Sequence, residues 1–167
     1  MKDNNVSIIL ICLNDENCIG DMLESLRGSS YSELIIVDGG SKDKTKLIAK
    51  EYTDKIFETK KGMLNQAIYG LERSREKYIF LAESDHIYPN SFVESLHREL
   101  IQSQFDGIWG TLKYKNPTNF WESGHNQFLK IHFHKKGLKK IIACPQLWHK
   151  NKLALLLSAT KNANGFS

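Results

Sequence analysis

The sequence predicts an α/β fold with a mostly parallel central sheet and helices on both faces of that sheet. Short β-branched runs alternate with segments of helical periodicity over residues 1–106, which is the pattern of such a fold. The first run, 6–13, is almost continuously apolar, as expected for a central strand covered on both faces. The 167 residues, 41% of them hydrophobic, suffice for one domain with one sizeable core.

The elements predicted up to residue 106 follow one another without a long linker. The strand at 6–13 leads into the polar residues 14–16, which offer a capping side chain for a helix that ends at Gly28. The next elements are, in chain order, a strand at 34–37, a helix capped by Ser41, a short strand at 55–58, a helix at 63–71, a strand at 78–82 and a helix that starts at Pro89.

The pattern becomes irregular beyond residue 106. Strands are expected at 107–112 and 139–144, and a short helix at 151–158. An aromatic and His-rich stretch at 116–137 separates the two strands. Because neither an internal repeat nor a low-complexity linker is visible, we predict one domain whose composition shifts near residue 107.

Charge is distributed unevenly along the chain. The formal net charge is +4, but residues 1–106 carry 13 Lys and Arg against 18 Asp and Glu, whereas residues 107–167 carry 10 Lys against the single Glu122. The acidic part suits metal or sugar-hydroxyl chemistry, and the basic part suits phosphate, an anionic acceptor or an acidic membrane surface. We therefore expect a core over 1–106 and a basic, aromatic-rich extension of the same domain over 107–167.

Several classes of protein are disfavoured by the sequence. No run approaches the roughly 20 apolar residues of a spanning helix, and the acidic start does not suit a secretory signal, so we expect a cytoplasmic protein. Cys12, Cys18 and Cys144 form no C-x-x-C pair, which argues against a disulfide framework and a zinc knuckle. Dinucleotide dehydrogenases and P-loop NTPases are disfavoured because their glycine-rich motifs do not occur.

Polar loops follow four of the predicted strands, at 14–16, 38–41, 60–62 and 83–86. In open α/β sheets ligands bind outside the carboxyl ends of the strands. If the strands are parallel, the loops converge on one edge of the sheet and bring Asp38, Glu83 and Asp85 near one another. Asp38 is then a candidate to bind a nucleobase or a ribose, or it only caps its own loop.

The Glu-x-Asp pair of Glu83 and Asp85 is the candidate cation site. Carboxylates that lie close together repel one another unless a cation or a donor-rich ligand joins them. Mg²⁺ and Mn²⁺ take oxygen ligands, and either ion is able to hold a diphosphate while a bond to it breaks. The alternative is that both acids are solvated turn residues.

The residues quoted so far resemble the nucleotide-sugar-binding half of a family 2 glycosyltransferase with the GT-A fold, a Rossmann-type sandwich. The resemblance extends over residues 6 to about 106, through VSIILICLNDEN (6–17), IIVDGGSKDKT (35–45), GMLNQAIYG (62–70) and YIFLAESDH (78–86). The most specific element is Asp-Gly-Gly-Ser-x-Asp-x-Thr in the second segment. The family transfers a sugar from a nucleoside diphosphate sugar to an acceptor, usually with Mg²⁺ or Mn²⁺ at a D-x-D motif.

The resemblance implies a role for each residue at a matching position. Four residues of the first loop are expected to line the nucleoside pocket: Cys12, Leu13, Asn14 and Glu16. Asp38 is expected to bond the base, and Glu83 to contact ribose or metal. Asp85 occupies the position of the metal-binding acid. His86, which follows it, is a further candidate for a metal or phosphate contact, or a structural histidine.

The sequence also departs from the family pattern. Leu13 stands where the family usually has a tyrosine, so the aromatic ring expected near the base is missing. Lys60 and Ile68 occupy positions that are commonly Asp and Asn in the family, so the sugar contacts are expected to differ. Lys60 or Lys61 either meets the diphosphate or is exposed surface. Residues 144–150 resemble the strand that follows the acceptor site in the family.

The catalytic base is not identified by the sequence. Inverting transfer needs a base that takes the proton of the acceptor hydroxyl. Glu122 is the one carboxylate after Asp106, and His125 and His149 are the other candidates.

Three functions remain open from the sequence. The first is metal-assisted, inverting transfer of a sugar to a saccharide or lipid-linked acceptor, with contact between the basic part and the anionic inner face of a membrane. The second is a nucleotide-sugar-binding module without activity, or a fragment of a longer transferase. The third, nucleic-acid binding through the basic part, is disfavoured.

Overall fold

The computed structural model describes residues 5–103, 105–110 and 146–163. Within these ranges the chain forms six strands and five helices. They are, in chain order, β1 (Val6–Cys12), α1 (Ile19–Leu26), β2 (Glu33–Asp38), α2 (Thr45–Ala49), β3 (Ile56–Glu58), α3 (Met63–Arg73), β4 (Tyr78–Glu83), α4 (Phe92–Gln102), β5 (Gly107–Trp109), β6 (Gln146–His149) and α5 (Lys150–Ala163).

The six strands form one sheet in the order β3-β2-β1-β4-β6-β5. Strands β1 to β4 are parallel, whereas β6 pairs antiparallel with β4 and with β5. The strand order reverses between β1 and β4, which is the place where open α/β sheets bind ligands. The predicted α/β fold with a mostly parallel sheet is therefore confirmed.

Both faces of the sheet are covered by helices, as the sequence predicts. Ile8 and Leu10 of β1 pack on one face, where the core includes buried residues of α1, α2 and α4. Ile9 points to the other face and packs with Leu71 of α3 and Leu153 of α5. Because successive residues of a strand point to opposite faces, a strand between two helical layers must be apolar at almost every position. That requirement explains the apolar run of β1.

The capping role predicted for Ser41 is wrong. The helix α2 begins only at Thr45, and Lys44 precedes it without a side-chain cap. The Ser41 hydroxyl instead donates a hydrogen bond to Asp38 and accepts one from the Asn14 N–H. A serine hydroxyl binds whichever backbone group is nearest, and here that group belongs to another loop.

The predicted capping of α1 by residues 14–16 is also wrong. The helix begins at Ile19 without a side-chain cap. The side chains of Asn14 and Glu16 accept hydrogen bonds from the N–H groups of Lys42 and Lys44. The first-loop side chains therefore join two loops instead of starting a helix.

The rear part of the chain is described over 105–110 and 146–163. The strand β5 coincides with the start of the strand predicted at 107–112, and the rest of that strand lies outside the described residues. The strand predicted at 139–144, the stretch 116–137, Glu122 and His125 also lie outside them. The observed β6 falls within 144–150, and α5 is longer at both ends than the helix predicted at 151–158.

These rear elements complete the sheet and one of its faces. The acceptor-side role of 107–167 stays a prediction. Within the described parts of the chain, no helix combines the length and the apolar character that crossing a membrane requires.

A buried carboxylate holds the edge of the sheet at which the parallel strands begin. Glu33 is 7% exposed and accepts hydrogen bonds from Ser7 Oγ, Lys55 Nζ and the Arg75 N–H, at 2.5, 2.6 and 2.6 Å. Burial alone would raise the pKa of Glu33, but the hydrogen bonds from Lys55, Ser7 and Arg75 outweigh it, so this pKa lies below its ordinary value.

We expect Glu33→Gln to lower the free energy of unfolding at pH 7 by about 1–3 kcal/mol, because the amide replaces a charged acceptor of three hydrogen bonds. A lowered folded-state pKa gives stability that is complete above the unfolded-state value of about 4.3 and is lost as the pH falls through the folded-state value. Urea unfolding at a series of pH values should therefore show the difference shrinking in acid.

The control is Glu58→Gln in the exposed ion pair with Lys46, which should cost less than about 1 kcal/mol. If the free energies of unfolding of wild type and Glu33→Gln are equal at pH 7, or if their difference grows in acid, this account of Glu33 is contradicted.

Candidate functional site at the carboxyl ends of the strands

Three loops meet at the carboxyl ends of β1, β2 and β4. In the sheet register Cys12 lies beside Asp38, and Ile11 lies beside Glu83, so these strands end nearly level. The loops are 13–18 after β1, 39–44 after β2 and 84–91 after β4. Asp38 and Asp85 therefore lie on the same edge of the sheet, with β1 between their strands.

The loop after β1 is held by side chains of the loop after β2 and of the first residue of α2. Three successive N–H groups donate to them, in the pairs Asn14 to Ser41 Oγ (2.8 Å), Asp15 to Thr45 Oγ1 (2.7 Å) and Glu16 to Asp43 Oδ2 (3.1 Å). The Ser, Asp and Thr positions of the motif Asp-Gly-Gly-Ser-x-Asp-x-Thr are thus the positions that fix the first loop. The sequence indicated the motif but not this use of it.

Asp38 fixes the loop after β2. Its side chain is fully buried, and Oδ1 accepts hydrogen bonds from the N–H groups of Gly40 and Ser41 at 2.8 and 2.7 Å. Oδ2 accepts the Ser41 hydroxyl. Gly40 has a φ of 94°, which only glycine adopts readily. The carboxylate holds its own loop, and its contact with a base remains a prediction.

The Cys12 thiol lies behind this loop, 3.7 Å from Asp38 Oδ2. Burial and the negative charges of Asp38 and Asp15 raise the pKa of Cys12 above its ordinary value, so the thiol stays neutral. Cys12 therefore acts as a small buried group and not as a nucleophile.

Gln66 is a site residue that the sequence analysis missed. It is 4% exposed, and its Nε2 donates to Cys12 O and Val37 O at 3.0 and 2.8 Å. Its Oε1 accepts the Gly62 N–H at 3.2 Å. One side chain of α3 thereby ties the ends of β1 and β2 to the start of its own helix.

An open cleft of about 220 Å³ lies between the end of β1 and the start of α3. Its lining consists of Ile11, Cys12, Leu13, Asp15, Met63 and Gln66. Leu13 and Met63 are 37% and 65% exposed, so both offer apolar surface to a ligand. The cleft includes the predicted Cys12 and Leu13. The side chains of Asn14 and Glu16 bind the loop after β2 instead, and their contacts with a nucleoside stay predictions.

Glu83, Asp85 and His86 form a cluster at the end of β4. One ligand atom from each residue lies within 4.8 Å of the others. His86 Nδ1 is 3.7 Å from both Glu83 Oε2 and Asp85 Oδ1, which is too long for a hydrogen bond. Burial raises the pKa of Glu83 above its ordinary value, and Asp85 adds to this effect while His86 opposes it.

The residues of this cluster fit a divalent cation. His86 Nδ1 is buried, and among the residues that the structure describes it has no hydrogen-bond partner. Two atoms that bind one Mg²⁺ at about 2.0–2.1 Å lie at most about 4.2 Å apart, so small side-chain shifts would bring these atoms, now within 4.8 Å of one another, onto one ion. Two carboxylates and an imidazole are a suitable ligand set for a divalent metal of the first transition row, and the carboxylates alone suit Mg²⁺.

Two further residues position the turn that carries this cluster. Tyr88 is 4% exposed, and its hydroxyl accepts the Glu83 N–H at 3.2 Å. The Ser84 hydroxyl donates to Asp15 Oδ2 at 2.6 Å and so connects the turn to the first loop. Neither Ser84 nor Tyr88 stood out in the sequence, because a single serine or tyrosine near a strand end is common.

The loop that carries Lys60 and Lys61 follows β3, which is parallel to β2, so this loop also starts at the carboxyl edge of the sheet. Lys61 is exposed in the loop after β3, and Lys60 lines a second open cleft of about 320 Å³ between α3 and α5. His149 pairs with Tyr78 at the start of β4. Tyr78 and Glu83 are five positions apart along β4, a distance of roughly 16 Å. His149 therefore lies at the opposite edge of the sheet from the cation candidates.

Comparison with known proteins places this geometry in a family. The model of the family described as glycosyl transferase family 2 matches residues 7–153. The chain belongs to glycosyl transferase family 2. Its α/β fold is that of the GT-A glycosyltransferases, as the sequence predicts.

Relatives of this family 2 chain include an uncharacterized glycosyltransferase of Rickettsia typhi, 35% identical over 107 residues. Another is a lipopolysaccharide core biosynthesis glycosyltransferase of Rhizobium meliloti, 30% identical over 104 residues. The matches cover 58% and 59% of this chain but 34% and 38% of the relatives, so the chain spans about a third of their length.

Among solved structures, glucosyl-3-phosphoglycerate synthase from Mycobacterium tuberculosis is similar to this family 2 chain in fold. The TM-score is 0.68 at 15% identity, over 89% of this chain and 58% of that one. That structure is a complex with Mn²⁺, UDP-glucose and phosphoglyceric acid.

We expect Gln66→Ala to lower the free energy of unfolding by about 1–3 kcal/mol, because it removes the hydrogen bonds of a buried side chain to Cys12 O, Val37 O and the Gly62 N–H. Urea unfolding measures this loss. Gln102→Ala at the exposed end of α4 is the matched control and should change stability by less than about 0.5 kcal/mol. Equal effects of the two substitutions would show that Gln66 does not hold the strand ends.

Proposed function

We propose that this chain binds a nucleoside diphosphate sugar at the carboxyl edge of the sheet and transfers the sugar to an acceptor hydroxyl with the help of a divalent cation. The observation that carries the proposal is the cluster of Glu83, Asp85 and His86, which is bonded through Ser84 to the loop that borders the cleft. Membership of glycosyl transferase family 2 supports the same class of reaction.

The nucleoside occupies the cleft between β1 and α3 in this proposal. Leu13 and Met63 give it two apolar walls, on which a base is able to pack without an aromatic partner. UDP is the first nucleotide to test, because the M. tuberculosis synthase of similar fold was crystallised with UDP-glucose. The contact of Lys61 with the diphosphate belongs to the same proposal, as does the bond from Asp38 to the base, which requires the buried Asp38 carboxylate to become accessible on binding.

Glu83, Asp85 and His86 would hold Mg²⁺ or Mn²⁺ beside the diphosphate. When bound, such an ion neutralises the negative charge that develops on the leaving diphosphate. In the transfer the acceptor oxygen bonds to the anomeric carbon while the bond from that carbon to the diphosphate breaks. The hydroxyl proton passes to a base, for which Glu122 and His125 remain the candidates from the sequence, and direct displacement inverts the anomeric centre.

The acceptor is proposed to be a saccharide or a lipid-linked saccharide. The support is the excess of lysine over acid in residues 107–167, which suits an acceptor that carries phosphate or lies at an anionic membrane. Contact with such a membrane and a cytoplasmic location remain predictions.

A nucleotide-sugar-binding module without transfer activity is the second candidate. It is favoured by the scarcity of acids within residues 107–167, where Glu122 is the one carboxylate that could act as a base. Release of UDP from a UDP-sugar by this chain, in the presence of Mn²⁺, would reject the module. Tight UDP binding without any release would favour it.

We expect UDP to bind more tightly with Mn²⁺ than without it, and Asp85→Asn to weaken the Mn²⁺-dependent binding by at least about tenfold, because a ligand of the cation is lost. Isothermal titration calorimetry measures both affinities. UDP binding in the absence of metal should be almost unchanged by the substitution.

Asp54→Asn is the matched control, since Asp54 is an exposed acid before β3, at the other edge of the sheet. UDP binding that depends on Mn²⁺ equally in wild type and Asp85→Asn would refute the cation assignment. Absence of UDP binding under all conditions would refute UDP as the nucleotide.

A further inference from the structure

The turn with the cation candidates is bonded directly to the loop that borders the cleft. Ser84 lies between Glu83 and Asp85, is 9% exposed, and donates its hydroxyl to Asp15 Oδ2 at 2.6 Å. The same oxygen accepts the Leu13 N–H at 3.0 Å. One carboxylate oxygen therefore joins the turn to the backbone of a residue that lines the cleft.

The two ends of this connection are held differently. The Asp15 backbone is fixed, because its N–H donates to Thr45 Oγ1 and its carbonyl accepts the N–H of Ile19 at the start of α1. In the turn, His86 Nδ1 has no hydrogen-bond partner, and within the described residues the carboxylates of Glu83 and Asp85 approach it only at 3.7 Å. A cation would supply the contacts that order these three side chains.

The Ser84 hydroxyl has the right chemistry to transmit that order. A hydrogen bond to a carboxylate is charge-assisted and about twice as strong as one between neutral groups. It forms only when the turn presents the hydroxyl toward Asp15. Glu83 and Asp85 precede and follow Ser84 in the chain. If both bind the cation, the backbone between them is restrained, and the Ser84 hydroxyl is held in its orientation toward Asp15.

We propose that Ser84 and Asp15 are positioning residues that couple the cation site to the nucleoside cleft, so that a bound cation orders the Leu13 wall of the cleft before any nucleotide arrives. This inference rests on the cation site of the proposed function. The entropy cost of ordering the cleft is met when the cation binds, so the nucleotide that binds second does not meet it again. The two ligands therefore bind cooperatively. By linkage, the nucleoside raises the affinity for the cation by the same factor.

Amide hydrogen exchange at Leu13 tests the coupling with the metal alone. Exchange is measured without nucleotide, once with saturating Mn²⁺ and once without it. Acid and a chelator stop the exchange before residue-resolved mass spectrometry. In the wild type we expect Mn²⁺ to slow exchange at Leu13 by at least about fivefold, the lower end of usual coupling factors. Ser84→Ala should reduce the effect to less than about twofold, and Ser84→Thr, which keeps the hydroxyl, should restore it.

Ser95→Ala, at an exposed serine of α4, is the matched control and should retain the wild-type response to Mn²⁺. Calorimetry with Mn²⁺ shows whether the cation site is filled in each variant. Slowing by Mn²⁺ that is equal in wild type and Ser84→Ala, with the ion bound in both, would overturn the coupling and leave the proposed function intact. Absence of Mn²⁺ binding to the wild type would overturn the coupling together with the cation part of the proposed function.

Discussion

The site depends on the hydrogen bonds that the backbone N–H groups of the loop after β1 donate to neighbouring side chains. Residues 13–18 belong to neither strand nor helix, so their N–H groups need partners from elsewhere. Ser41, Asp43 and Thr45 supply three of them, and Asp38 holds Ser41 in place by accepting its N–H and its hydroxyl. At roughly 0.5–1.5 kcal/mol each, such bonds together decide whether the loop has one conformation.

This arrangement separates a rigid part of the site from an adjustable part. The loops after β1 and β2 are bonded to each other, and Gln66 ties their strand ends to α3, so the side of the cleft formed by Cys12 and Gln66 is fixed. Prearranged walls lower the entropy cost of binding a nucleoside. In the turn at 83–86, the His86 Nδ1 atom has no hydrogen-bond partner within the described parts of the chain and lies near two carboxylates, an arrangement that a bound cation would complete.

The sequence was informative where a physical constraint acts on neighbouring residues. The apolar run of β1 correctly predicted a central strand of the sheet, and the polar strand ends at Asp38 and Glu83 correctly predicted that both residues lie at one edge of it. The prediction that Ser41 caps α2 failed, because a short hydroxyl side chain binds a helix N–H or a distant loop equally well. Gln66 and Ser84 gave no signal, since Cys12, Val37 and Asp15, to which they donate, lie 29 to 69 residues away and only the fold brings them together. The position of His149 could not be predicted, because it depends on the antiparallel direction of β6, which the sequence of that strand does not specify.

The central claim is that one edge of the sheet holds a cation and a nucleotide side by side. Anomalous diffraction from crystals grown with Mn²⁺ and UDP tests this claim most directly. We expect a single strong Mn²⁺ peak within about 2.0–2.6 Å of ligand atoms of Glu83, Asp85 and His86, with the uridine in the cleft between Leu13 and Met63. A Mn²⁺ peak at other residues, or uridine at another edge of the sheet, would contradict it.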